Sequence, residues 1–143
     1  MKIREATKKD FKAITEIMRN EFGKAPYNEE WTDEYGLKTL NYYAKAGEIY
    51  VCLIDTKIVG SIIIRKEYYR TDYNFVIEEV MVSEDSQGKG VGTALINFIE
   101  NLAKKQKIGT LILFSNKKAA AYKFYIKKGY KPDLDFTWMD KKV

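Results

Sequence analysis

The residues best suited to chemistry lie in one short stretch, Gln87-Gly88-Lys89-Gly90-Val91-Gly92-Thr93. Glycines let a backbone approach a ligand and take up dihedrals that other residues avoid. The stretch follows the apolar run Val80-Met81-Val82 and opens into a segment with apolar residues at helical spacing, so it reads as a strand-to-helix turn. Free amides at a helix N-terminus attract phosphate oxygens, and Lys89 adds positive charge. The chemistry this implies is a phosphate or diphosphate site. Two common phosphate patterns are not met. No Gly-Lys-Ser/Thr stands at the P-loop offset, and the dinucleotide pattern counted from Gly88 puts Thr93 where its third glycine belongs.

Acid–base chemistry is bounded by what the chain lacks. It has no histidine and a single cysteine. That removes Ser-His-Asp and Cys-His catalysis and most zinc chemistry, so no metal site is expected. Proton transfer falls to Asp, Glu, Tyr, Lys or Cys. Cys52 sits in the apolar run Ile49 to Ile54 and reads as a buried strand thiol.

These residues need elements to position them. Residues 2–6 read as a short strand. Thr7, with Asp10 three residues on, resembles a capping box. Phe11, Ile14, Met18 and Phe22 then follow at helical spacing. Gly23 to Asn28 is a loop, and a second helix is expected from Glu30 to Lys45, ended by Gly47. Residues 48–55 and 58–68 read as a hairpin, and 75–82 as the next strand. Val91, Ala94, Leu95, Phe98, Ile99 and Leu102 mark one face of a long helix. Residues 110–114 form a short apolar strand, 119–128 a helix stopped by Gly129, and 130–139 a closing strand. The expected order is β-α-α-β-β-β-α-β-α-β. That is an α/β fold with a mixed, mostly antiparallel central sheet and helices on both faces. With 143 residues and no repeat or linker, a single domain over 1–143 is expected.

The spacing Gln87-x-x-Gly90-x-Gly92 resembles the acetyl-CoA signature of the GNAT N-acetyltransferase superfamily, Q/R-x-x-G-x-G/A. Asn116-x-x-Ala119, followed by Phe124-Tyr125-Ile126-Lys127-Lys128-Gly129-Tyr130, is similar to the family's second CoA motif. The two motifs come in the family's order, after successive strands, and the element order agrees over nearly the whole chain.

The resemblance implies a cofactor, acetyl-CoA, and a role for each matching residue. The strand through Val80, Met81 and Val82 would splay from its neighbour and bond the pantetheine arm through its backbone. The amides from Gln87 through Gly88, Lys89, Gly90, Val91 and Gly92 to Thr93 would hold the diphosphate. Asn116, Ala119 and Tyr122 would flank the cofactor. Tyr125 matches the family's general acid, which protonates the departing thiolate. Glu78 and Glu79 match an acidic pair found in some relatives, where the first acid acts as base and the second helps hold a cationic substrate. Strand alternation puts Glu78 on the face of Val80 and Val82 and Glu79 on the other, unless a bulge intervenes.

Within the family, specificity resides between the first strand and the first hairpin. Here residues 27–35 hold Glu29, Glu30, Asp33 and Glu34 beside Tyr27, Trp31 and Tyr35, with no basic residue. Such a cluster suits a cationic amine through charge and cation–π attraction. Tyr27, Glu30, Trp31 and Glu79 are the expected substrate contacts, with Tyr68, Tyr69 and Tyr73 as an opposite wall. The reading is a transferase: an N-acetyltransferase acting on a small-molecule amine by direct attack in a ternary complex. Alternatives are a protein or peptide N-acetyltransferase, a non-catalytic acyl-CoA-binding domain and a nucleic-acid-binding module. The net charge of +5 invites the last, but the lysines are dispersed rather than gathered in a stripe, so no nucleic-acid partner is expected. No apolar run approaches the roughly 20 residues of a membrane span. The N-terminus does not resemble a signal peptide, and a cytoplasmic monomer or homodimer is expected.

Overall fold

The computed structural model describes residues Met1–Val143. Strand β1 (Lys2–Glu5) hands over to helix α1 (Phe11–Phe22) through a single 3-10 turn at Lys8–Asp10. The expected capping interaction is formed there. Asp10 Oδ2 accepts from the Thr7 amide at 2.7 Å and from Thr7 Oγ1 at 2.9 Å. The same carboxylate takes both terminal nitrogens of Arg4, at 2.8 and 2.9 Å, which holds it well below the usual carboxylate range. One aspartate thus fixes both the end of β1 and the start of α1.

Helix α2 (Asp33–Ala46) begins at Asp33 rather than Glu30, because Thr32 Oγ1 accepts from the Tyr35 amide at 3.1 Å and caps it. Glu30 and Trp31 therefore belong to the connecting loop. Strands β2 (Glu48–Ile54), β3 (Lys57–Tyr69) and β4 (Asp72–Val82) form an antiparallel meander. Helix α3 (Val91–Lys105) crosses to β5 (Thr110–Leu113), and α4 (Ala120–Lys127) follows.

The five strands run in the order β1-β2-β3-β4-β5, with only β4 and β5 parallel. Successive β3 residues face opposite sides, as the strand pleat requires. Ile63 packs with Ile14, Met18 and Leu40 beneath α1 and α2. Ile62 and Ile64 pack with Phe75, Leu95, Ile96 and Ile99 beneath α3. The fold is thus a mixed, mostly antiparallel sheet with helices on both faces. Each fully buried Ile, Leu or Phe contributes about 1.5–3 kcal/mol relative to exposure. The start of α3 lies hard against β3. A Cβ on Gly60 would come within 2.9 Å of Val91 Cγ1 and 3.0 Å of the Met81 carbonyl oxygen.

Residues 130–139 do not form the expected closing strand. Tyr130 bonds back to the Tyr125 carbonyl at 3.1 Å, ending α4, and the rest of the tail makes no backbone ladder. Leu134, Phe136 and Trp138 alternate as a strand would, but Pro132 has no N–H to give. The Asp135 amide is turned onto Asp133 Oδ1 at 3.0 Å. This local bond bends the chain where the strand would start.

Candidate active site

Strand β4 pairs with β3 along its length but with β5 only from Asn74 to Ile77. Beyond Ile77 and Leu113 the two parallel strands part. The outer backbone edge of residues 78–82 is left without a strand partner.

A bulge sits at the point of parting. The β3–β4 register steps from Ile64 opposite Ile77 to Ile63 opposite Glu79, so Glu78 is the extra residue. Val80 and Val82 pack towards α3, whereas Glu78 reaches Tyr43 of α2. The alternation that would group Glu78 with Val80 and Val82 is therefore broken. Glu78 is also engaged: its Oε1 lies 2.8 Å from Arg65 Nε, and Tyr43 Oη donates to its Oε2 at 3.4 Å. Glu79 has neither an ion pair nor a hydrogen bond on its carboxylate. Burial, with the charges of Glu29 and Glu78 nearby, pushes its carboxyl up to about 7.

The glycine-rich turn faces a cleft of about 640 Å³, within the range of small-molecule sites. The cleft is bounded by the α1–α2 loop, the end of β4, the turn itself and the start of α4. Gly88 and Gly90 have φ of +72° and +85°, conformations that L side chains rarely adopt. The amides of Gly88, Lys89 and Gly90 donate to no protein acceptor. The first amides of α3 add to them, as at any helix N-terminus. Gln87 Nε2 donates to the Val82 carbonyl at 3.1 Å and to Glu21 Oε2 at 2.6 Å, tying the turn to β4 and to α1. Val80, Met81, Val82, Gln87, Gly88, Gly90, Val91, Gly92, Thr93, Ala119 and Tyr125 all line this cleft. Lys89 and Tyr122 do not. Free amides, an unpaired strand edge and adequate volume fit an extended thioester cofactor with a diphosphate.

A smaller cavity of about 90 Å³ opens between the ends of β4 and β5. Glu78, Glu79 and Asn116 line it. It shares Phe22, Tyr27, Val80, Ala121 and Tyr125 with the larger cleft, so the two meet at Tyr125. Burial raises the Tyr125 phenol well above the usual tyrosine range, and Tyr130, Tyr27 and Glu79 push it the same way. Tyr43 is pushed up to about 12 by burial and then by Glu78 and Glu79.

The expected substrate residues separate into two groups. Tyr27 lines both cavities, edge-on to Phe22 at 5.5 Å. Trp31 packs on Phe22 at 5.8 Å and donates from Nε1 to Glu29 Oε2 at 2.7 Å. Glu30 is exposed and lines neither cavity. Asp33 pairs with Arg19 at 2.9 Å and Glu34 with Lys38 at 2.8 Å, so these acids are spent on α1 and α2. Tyr68, Tyr69 and Tyr73 are exposed at the β3–β4 hairpin tip, the far end of β4 from Glu79, and form no wall of the site. The residue that sequence reasoning missed is Lys24, which tertiary packing alone brings to the larger cleft; Glu29 lines neither cavity and acts only through its charge on Glu79. Glu29 was visible only as one acid among four.

A model of the acetyltransferase (GNAT) domain matches residues 45–132, more than half of the chain. No curated protein matches the sequence. Among solved structures, a possible acetyltransferase from Clostridium difficile 630 superposes with a TM-score of 0.84 at 22% identity, covering 99% of this chain and 97% of that one. A transcriptional regulator from Bacillus halodurans C-125 gives 0.80 at 20% identity, covering 99% of each chain. The ribosomal-protein-alanine N-acetyltransferase from Brucella melitensis biovar Abortus 2308 gives 0.78 at 18%, covering 99% and 96%. At these identities the likeness is one of fold. No helix is long and apolar enough to cross a membrane.

Proposed function

The chain belongs to the GNAT acetyltransferase family, and from that premise we propose that it transfers an acetyl group from acetyl-CoA to the primary amine of a cationic small molecule, polyamine-like or aminoglycoside-like. The observation that carries the reading is the junction of the two cavities, where the unpaired Glu79 carboxyl faces a site that also holds the Tyr125 phenol. One group can take a proton and the other can give one.

Acetyl-CoA supplies an activated acyl group and a thiolate leaving group. The outer edge of β4 from Val80 to Val82, which no strand pairs, and the amides from Gly88 to Thr93 would hold it, with Asn116 and Ala119 at the start of α4 beside it; the Gln87 amide is spent on the Glu84 carbonyl at 3.2 Å, so Gln87 braces the turn through its side chain instead. Lys89 and Tyr122 lie outside the cleft lining, from where Lys89 would supply positive charge. An alkylamine arrives as an ammonium of pKa ~10 and must lose a proton before it attacks. Glu79, ionised above about pH 7, takes that proton directly or through water. Glu78 is held by Arg65 and Tyr43, which makes it a poorer base than Glu79 and a brace for the bulge. Tyr125 Oη–H would donate to the sulfur and give its proton to the thiolate as the carbon–sulfur bond breaks, and the second proton, shed by the acylated nitrogen, would restore the phenol. Strand amides polarise the carbonyl under attack. The buried Cys52 lines neither cavity, which supports direct attack without an acyl-enzyme.

Preference for a cation rests on charge. Glu79 has no basic partner, Glu29 adds negative charge nearby, and Tyr27 lines the same small cavity as Glu79. Incubation with acetyl-CoA and a panel of amines, read as free CoA, tests this. Polyamines or aminoglycosides are expected to release CoA about tenfold faster than N-terminal peptides, the equivalent of one charge-assisted contact. Faster turnover of peptides would remove the small-cation reading, and no release with any amine would remove the enzyme.

A further inference from the structure

Resting on the CoA reading above, we propose that Lys24, in the α1–α2 loop, is a ligand of the CoA diphosphate and holds it from the α1–α2 side of the cleft. Lys24 is the only cationic residue lining the 640 Å³ cleft. Lys89, the cation supplied by the motif itself, is exposed and lies outside it. The other charged residues lining the cleft are the acids Glu21, at the end of α1, and Glu84, just before the glycine turn. Without Lys24 the charged side chains lining the cleft would repel a diphosphate.

The local geometry keeps the lysine available. Its Nζ lies 2.8 Å from Glu84 Oε2 and 3.4 Å from Glu21 Oε1, with its side chain 44% exposed. Exposed pairs of this kind are individually weak. An ammonium has three N–H donors, so Lys24 can give one to a phosphate oxygen while keeping a carboxylate on another. Glu21 is the more buried of the two acids, and its second oxygen is taken by Gln87 Nε2 at 2.6 Å. Gln87 thus holds one oxygen of Glu21, and Lys24 shares the other only at the longer 3.4 Å. Lys24 is three residues from Tyr27, which lines the acceptor cavity. A contact between Lys24 and the diphosphate would therefore fix the loop that walls the amine site, so that cofactor binding prepares amine binding.

Calorimetric titration of CoA into the wild-type protein and Lys24→Met tests the assignment. The variant's Kd is expected to rise about 10- to 100-fold, the range for a lost hydrogen bond to a charged group. Dephospho-CoA keeps the diphosphate but lacks the 3′-phosphate, and it should show the same rise. S-acetylpantetheine lacks all phosphate, and its kcat/KM should be the same for both proteins. An unchanged Kd for CoA overturns the proposal. So does a penalty that vanishes with dephospho-CoA, because the contact would then be to the 3′-phosphate. A penalty that persists with S-acetylpantetheine also overturns it, since Lys24 would then only support the loop. Wild-type titration reports separately on the CoA reading: if CoA fails to bind the wild type, that reading fails whatever the variant does.

Discussion

Tyr125→Phe lowers kcat by about 10- to 10⁴-fold, the range for one positioned proton donor, and leaves the Kd for CoA nearly unchanged. The phenol oxygen is removed while the ring stays. The ring's packing against Phe124 at 5.3 Å and Tyr130 at 5.6 Å is kept, so the end of α4 should not move. The loss belongs in kcat because the sulfur needs a proton only as the thiolate forms. Burial keeps the phenol protonated across the pH range in which an amine is turned over. The same burial makes it a reluctant donor to a thiolate whose conjugate acid titrates at ~8.5 in water. A thiolate in the same dry site has its own proton affinity raised, which restores the match. Turnover that survives the substitution intact removes Tyr125 from the chemistry.

Glu79→Gln is expected to have an effect of similar size, about 10²- to 10⁴-fold in kcat/KM, with a distinct pH signature. In the wild type, kcat/KM should rise with unit slope through about pH 7, as Glu79 loses its proton. The variant should lose that limb and keep only the rise set by the amine. A bound ammonium beside Glu79 lowers its pKa, so the limb in kcat should lie at lower pH than the limb in kcat/KM. Stability should move the opposite way. The folded-state carboxyl titrates above its unfolded value of 4.5, so the fold favours neutral Glu79. That stability is complete below about pH 4.5 and is lost as the pH rises through about 7. At pH 8 the glutamine variant should therefore be more stable by on the order of 1–3 kcal/mol, measured by urea denaturation. Loss of activity with gain of stability identifies a group held in strain for function. A variant that is both active and less stable would show Glu79 to be a structural acid.

What the sequence made legible was local. The turn from Gln87 to Thr93, the strand before it and the helix after it are one continuous segment, and the glycines mark it without reference to any distant residue. The capping pair Thr7 and Asp10 and the stop at Gly129 are local in the same way. Properties fixed by pairing between strands were hidden. Glu78 and Glu79 are neighbours in sequence. Only the step in register against Ile63 and Ile64 shows that both sit on the α2 side and that Arg65 claims Glu78. The acidic run at residues 29–34 looked uniform until Arg19 and Lys38 neutralised two of its members. The tyrosines of the β3–β4 hairpin looked available until the length of β4 carried them away from the site. In the tail, the alternation of Leu134, Phe136 and Trp138 suggested a strand, and the Asp133 turn after Pro132 overrode it.

The central claim is that the unpaired edge of β4 and the amides of the glycine turn grip a CoA thioester. Residue-resolved amide hydrogen exchange, with and without CoA, tests it most directly. The account predicts slowed exchange at residues 80–82 and 88–93 and in the loop from Lys24 to Tyr27, with the hairpin tip at 68–73 unchanged. Exchange at 80–82 and 88–93 that is indifferent to saturating CoA, or protection confined to another face, would contradict it.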